Sequence, residues 1–113
     1  MKVDLKENGG TAFVRVEGDV DLYSSPKLRD AVLASVKKQL SPIVVNLSQV
    51  RYIDSSGVAT LVEGYQLSRE YGGSICLVGL NERISEVFKL ARLHRVFKIC
   101  QTEAEALETQ PES

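Results

Sequence analysis

Apolar positions recur along this chain with two different periods, and each change of period marks a change of element. Val3 and Leu5, then Ala12, Val14 and Val16, return every second residue on either side of Asn8-Gly9-Gly10, which predicts two strands joined as a hairpin. Gly18-Asp19-Val20-Asp21 closes the second strand. Ser25 followed by Pro26 reads as an N-cap with proline at the first helical position. Leu28, Ala31, Val32, Val36 and Leu40 then keep helical spacing up to Ser41-Pro42, where proline disfavours a helical residue before it. Ile43, Val44, Val45 and Leu47 form a short β-branched run typical of a covered strand, and a connection through Val50, Tyr52 and Ile53 leads to Val58, Leu61, Val62 and Tyr65 at helical spacing again. Tyr71-Gly72-Gly73 ends that helix. A buried strand over 74–79 follows, then a helix from Asn81 with Ile84, Val87, Phe88 and Ala91 on one face, and a strand over 96–100. Thr102 with Glu105 fits a capping box for a last helix that carries Ala104 and Leu107 inward.

A hairpin followed by alternating helices and strands implies an α/β domain whose later strands run parallel through right-handed crossovers. About five strands are too few to close a barrel, so the expectation is a mixed open β-sheet with helices mostly on one face and active groups near strand ends. The 113 residues suit one domain over 1–108 with a flexible tail over 109–113.

Composition removes several function classes. Fourteen Lys and Arg against 15 Asp and Glu, well mixed and without tryptophan, give no basic stripe, so no nucleic-acid partner is expected. The opening residues alternate like a strand, unlike a signal peptide, and the longest apolar run, over 75–80, is far short of a bilayer span, so no direct membrane insertion is expected. Cys76 and Cys100 lie in apolar segments and read as buried thiols of a reducing cytoplasm. With His94 as the only histidine they give no metal-ligand spacing, and no cofactor or metal is expected. No GxSxG elbow, GxGxxG or GxxxxGK[ST] loop is present, so a serine hydrolase lacks its machinery, and a small nucleotide hydrolase using Asp54 and the nearby loops is the least supported class. His94 reads as a solvated residue after Leu90-Ala91-Arg92-Leu93, and Arg92, Arg95 and Lys98 as a solvated face.

The chemistry concentrates in Asp54-Ser55-Ser56-Gly57, where the strand over 43–47 gives way to the central helix. The first N–H groups of a helix lack partners within it and carry the positive end of the dipole. One reading is an ordinary N-cap supplied by Asp54, Ser55 or Ser56. The other is a phosphoserine switch, since added negative charge is tolerated at a helix N-terminus.

Tyr52-Ile53-Asp54-Ser55-Ser56-Gly57-Val58-Ala59, Gly18-Asp19-Val20-Asp21 before the first helix, and Gly72-Gly73-Ser74 leading into Ile75-Cys76-Leu77-Val78 together resemble the STAS domain, in particular the bacterial anti-sigma factor antagonists. The resemblance covers nearly the whole chain. It implies a cytoplasmic, non-enzymatic binding module that sequesters an anti-sigma factor serine kinase of the GHKL type when unphosphorylated and so releases a sigma factor, with a PP2C-type phosphatase restoring the unmodified form. It implies Ser55 as the phosphorylated residue, with Asp54, Ser56 and Gly57 as its neighbours, and Asp19, Asp21, Tyr23, Ser24, Val58 and Ala59 as partner contacts. The alternative within the family is a scaffold or regulatory subunit of an ABC transporter or signalling complex. Val58-Ala59 departs from the Leu-Gly frequent in the antagonists, and Ala59 adds a methyl to the presented helix.

Overall fold

The computed structural model describes residues 1–108, so the expected tail over 109–113 lies outside the described residues. Strands β1 (Lys2–Asn8) and β2 (Thr11–Glu17) pair antiparallel from Lys2↔Glu17 to Asn8↔Thr11. Gly9 and Gly10 turn the hairpin with φ of 60° and 86°, the left-handed pair that matches the twist of two tightly joined strands. Helix α1 (Ser25–Lys37) crosses to β3 (Ile43–Gln49), α2 (Ser55–Arg69) to β4 (Ile75–Val78), and α3 (Glu82–Leu90) with a 3₁₀ turn (Leu93–Arg95) to β5 (Lys98–Cys100). A short α4 (Glu103–Glu108) follows. The sheet runs β1-β2-β3-β4-β5 in chain order, with β2 to β5 parallel, which is the mixed open sheet that the alternation implied.

Alternation within the strands divides the sheet into two faces. Val14, Val45, Leu47 and Leu77 meet Leu28 and Val32 of α1, Leu61 of α2, and Ile84 and Phe88 of α3 in the main core. Val44, Cys76, Val78 and Cys100 form a smaller cluster on the other face, covered by Ala106 of α4. Three helices therefore share one face and α4 has the other. Cys76 and Cys100 are both buried, as expected of core thiols. No helix among the described residues is long and apolar enough to cross a membrane.

Several expected details differ. Ser24, not Ser25, is the N-cap of α1, and Ser25 is already helical. The helix ends at Lys37, well before Pro42, because Gln39 turns left-handed (φ 54°) and a Schellman pair forms, with Gln39 N–H donating to Val36 C=O (2.8 Å) and Leu40 N–H to Ser35 C=O (3.0 Å). The last strand begins at Lys98, since Val96 and Phe97 donate their N–H groups back to Leu93 C=O and Phe97 is drawn into the core edge-on to Phe88 and Tyr65 (5.7 Å each). Ala91 is exposed at the end of α3.

The largest correction concerns α4, where Ala106 points inward while Ala104 and Leu107 are exposed. Glu103 sets that rotation. Arg15 Nε and one of its terminal nitrogens donate to its two carboxylate oxygens at 2.8 Å each, and Asn46 Nδ2 adds a third bond at 2.9 Å. With Glu103 pinned to the sheet, the residue one turn on, Ala106, faces the same way. Thr102 Oγ1 accepts the N–H of Glu105 (3.1 Å) as the capping box requires, but the Glu105 carboxylate reaches the N–H of Gln101 (2.7 Å), one residue early.

The hydrogen bonds from Arg15 hold the Glu103 carboxyl below the usual glutamate range, against the opposing effect of burial. A folded-state pKa below the unfolded one adds stability that is complete above the unfolded value and is lost as pH falls through the folded one. Glu103→Gln is therefore expected to cost about 0.2–1 kcal/mol at neutral pH, the range for an ion pair screened by solvent. Denaturant melts of the two proteins should converge in acid, and a gap unchanged by acid contradicts the assignment.

Candidate functional site

Two loops meet at the C-terminal edge of the parallel strands. Val20, just after β2, forms a parallel bridge with Ile53, just before α2, through Val20 N–H to Tyr52 C=O (2.9 Å) and Asp54 N–H to Val20 C=O (3.0 Å). The first turn of α2 lies directly on this bridge. A Cβ on Gly57 would fall 2.6 Å from both Ile53 Cγ1 and Val20 Cγ1, both buried side chains, so the helix starts flush against the bridge only because position 57 has no side chain.

Of the three candidate caps, Asp54 is the one used. Its Oδ1 accepts the N–H of Ser56 (2.9 Å), the N–H of Gly57 (3.2 Å) and the hydroxyl of Ser56 (2.6 Å). The Ser56 hydroxyl, ahead of the backbone N–H groups of Gly57, Ser56 and Leu22, holds the Asp54 carboxyl below the usual aspartate range while burial opposes it, so the group is a carboxylate at neutral pH. Through its N–H, Leu22 brings the loop before α1 into the electrostatic environment of the Asp54 carboxylate.

The same cap separates the two serines. Ser56 is half-buried and its hydroxyl is committed to Asp54. Ser55 is exposed, and its hydroxyl makes no hydrogen bond among the described residues. Ala59, one turn further on the same helical face, is also exposed, whereas Val58 turns inward and packs against the core.

The loop before α1 is rigid at its base and apolar at its tip. Asp21 Oδ1 accepts the N–H groups of Tyr23 and Ser24 (3.0 Å each), and Ser24 Oγ accepts the N–H of Asp21 (2.9 Å) with Asp19 C=O (2.9 Å) and Asp21 Oδ1 (3.1 Å) within reach of its proton. Asp21 and Ser24 thus spend their side chains on the loop itself, while Asp19 is exposed. The loop presents Tyr23, 90% exposed, and Leu22, 66% exposed, and Tyr52 on the facing connection is 43% exposed. Leu22 and Tyr52 were not singled out as contacts from sequence. The available signal was an apolar side chain outside either hydrophobic period.

Three carboxylates, Asp19, Asp21 and Asp54, lie on these two loops, and no ion pair reaches them among the described residues. No metal-binding group of acids, histidines and cysteines forms among the described residues. His94 is exposed on the 3₁₀ turn after α3, and Cys76 and Cys100 face α4 across the sheet, so neither thiol is brought to Ser55.

Residues 2–106 match the STAS domain. The anti-sigma-B factor antagonist of Bacillus subtilis (strain 168) is 31% identical over 99 residues, covering 88% of this chain and 90% of that protein. Among solved structures, an anti-sigma factor antagonist from Mycobacterium paratuberculosis superposes with a TM-score of 0.86 at 24% identity, covering 95% of this chain and 91% of that one. The Bacillus cell fate determinant SpoIIAA in its phosphorylated form superposes with a TM-score of 0.76 at 20% identity, covering 95% and 97%.

Gly57→Ala tests the seat of the helix. A methyl forced against two buried side chains costs about 1–3 kcal/mol, more than the roughly 1 kcal/mol that alanine gains over glycine within a helix. Chemical denaturation should show a net loss, and a variant as stable as the parent contradicts the close contact with Val20 and Ile53.

Proposed function

The chain belongs to the STAS domain family, and from that membership we propose that it is an anti-sigma factor antagonist whose binding is switched by phosphorylation of Ser55. The observation that carries the proposal is the contrast at the head of α2: one exposed, unbonded hydroxyl beside a carboxylate whose Oδ1 is engaged in capping. The unmodified surface offers a small neutral group among Ala59, Leu22, Tyr23 and Tyr52, which suits close coverage by a protein partner.

Phosphorylation adds about 1.5 to 2 negative charges next to Asp54. The helix N-terminus attracts the phosphate and Asp54 repels it. Ser55 takes no part in the cap, so the fold keeps its bonds while the surface becomes more negative. A partner fitted to the neutral form then has to desolvate an unpaired charge, which costs about 3–5 kcal/mol. That SpoIIAA, a neighbour in fold, has been solved phosphorylated supports the compatibility of the fold with such a group.

The partner is an anti-sigma factor, in keeping with the names of the curated relatives. In this reading it is also the serine kinase, of the GHKL type, and it brings the ATP, the metal and the catalytic base. A PP2C-type phosphatase reverses the modification, the whole cycle takes place in the cytoplasm, and this chain catalyses no step. Asp19, Tyr23 and Ala59 touch the partner directly, with Leu22 and Tyr52 added to them, while Asp21, Ser24 and Val58 act by shaping the loop and the helix.

Capture on the immobilised, unmodified chain from lysate of its host, with mass spectrometry of the bound proteins, is expected to return a serine kinase of this class. That kinase with ATP should place one phosphate on the chain, mapping to Ser55 and abolished by Ser55→Ala. Phosphate on Ser56 contradicts the assignment, and recovery of a transporter subunit with no kinase assigns the chain to the scaffold role.

A further inference from the structure

Ser55 and Ser56 are equivalent in composition and adjacent in sequence, yet α2 places them in opposite chemical states. Ser56 Oγ donates its only proton to Asp54 Oδ1 at 2.6 Å, the length of a hydroxyl-to-carboxylate bond strengthened by charge. To accept a phosphoryl group it would first have to break that bond and leave a half-buried position. The backbone around it is equally committed, since Ser56 N–H donates to the same carboxylate oxygen and Ser56 C=O accepts the Thr60 hydroxyl at 3.0 Å.

The bond also acts on Asp54. Three donors converge on Oδ1 and none of those three bonds goes to Oδ2. The hydroxyl makes the shortest of these contacts, and without it only backbone N–H groups, those of Ser56, Gly57 and Leu22, oppose a rotation of the carboxylate toward the preceding helical position, where it would bind the Ser55 hydroxyl or set its charge against an incoming γ-phosphate. The third donor holds it on the cap.

We propose that Ser56 is a positioning residue for phosphoryl transfer to Ser55: its hydroxyl fastens the Asp54 carboxylate to the head of α2 and, being spent on that bond, leaves a kinase one acceptor instead of two. The proposal rests on the reading of Ser55 as the modified residue. In the transfer step Ser55 Oγ bonds to the γ-phosphorus of ATP, the bond from that phosphorus to the bridging oxygen breaks with its electron pair leaving on ADP, and the Ser55 proton passes to the base of the kinase. Ser56 touches none of the reacting atoms and acts through Asp54.

The test uses the full chain, the kinase recovered by capture, and ATP. Ser56→Ala should lower kcat for phosphorylation of Ser55 roughly tenfold, the rate equivalent of one hydrogen bond to a charged group, with KM unchanged. Ser56→Thr keeps the hydroxyl and should restore the rate. A merely structural cap would change the melting curve without this division between kcat and KM. Independently of any kinase, the carboxyl ¹³C resonance of Asp54 in the free protein should titrate at higher pH in Ser56→Ala than in the parent and Ser56→Thr. Parent-like kcat in Ser56→Ala, an unshifted Asp54 titration, or phosphate on Ser56 of the parent chain overturns the proposal. If the parent takes phosphate on Ser55 and Ser56→Ala is equally fast, only the positioning role fails. If the parent takes none, the Ser55 reading fails and the inference with it.

Discussion

The head of α2 is held by two interactions, and the rest of the site depends on them. The Val20–Ile53 bridge, with Gly57 pressed against it, fixes where the helix begins in space. The Asp54 cap fixes where it begins in sequence, satisfying N–H groups that the helix itself leaves unpaired. Together they make Ser55 the first helical residue, with an outward hydroxyl that nothing in the fold requires. Loosening either interaction moves the hydroxyl, the loop that carries Tyr23, or both, since Leu22 also contributes to the environment of the Asp54 carboxylate.

This arrangement separates stability from recognition. The core below the site is apolar and close-packed, and the ion pairs that lock the periphery, Arg29 with Glu63 between α1 and α2 and Arg15 with Glu103 under α4, involve neither serine. A charge added to Ser55 therefore meets no structural bond. It meets the positive end of a helix and a neighbouring carboxylate, two opposing influences within the protein, and it adds negative charge to the surface that a partner must cover. The energetic consequence falls on the complex and not on the fold.

The elements were largely legible in the sequence because each carried its own local signal. Asn8-Gly9-Gly10 is a hairpin turn on composition alone, the β-branched run at Ile43 is a covered strand, and Asn81 caps α3 through Ile84 N–H as its position implied. The misses share a physical origin in contacts that sequence spacing does not carry. Helix α1 stops at a left-handed glutamine where glycine would have been the signal, and α4 is rotated by a bond from Arg15, 88 residues away. At the site itself the family resemblance pointed to Ser55 and to the loop of Asp21, Tyr23 and Ser24 as a partner contact. That Asp54 alone caps the helix, that Ser56 is bound to it and that Leu22 stands exposed next to Tyr23 are consequences of geometry.

The central claim is that one esterified hydroxyl decides binding while leaving the fold intact. Its most direct test is the affinity of the chain for its anti-sigma factor with and without a phosphate on Ser55, measured by calorimetry alongside melting curves of both forms. The account predicts a loss of at least about a hundredfold in affinity, the equivalent of desolvating one unpaired charge, with melting temperatures nearly equal. Equal affinity of the two forms, or a phosphorylated chain that unfolds, contradicts it.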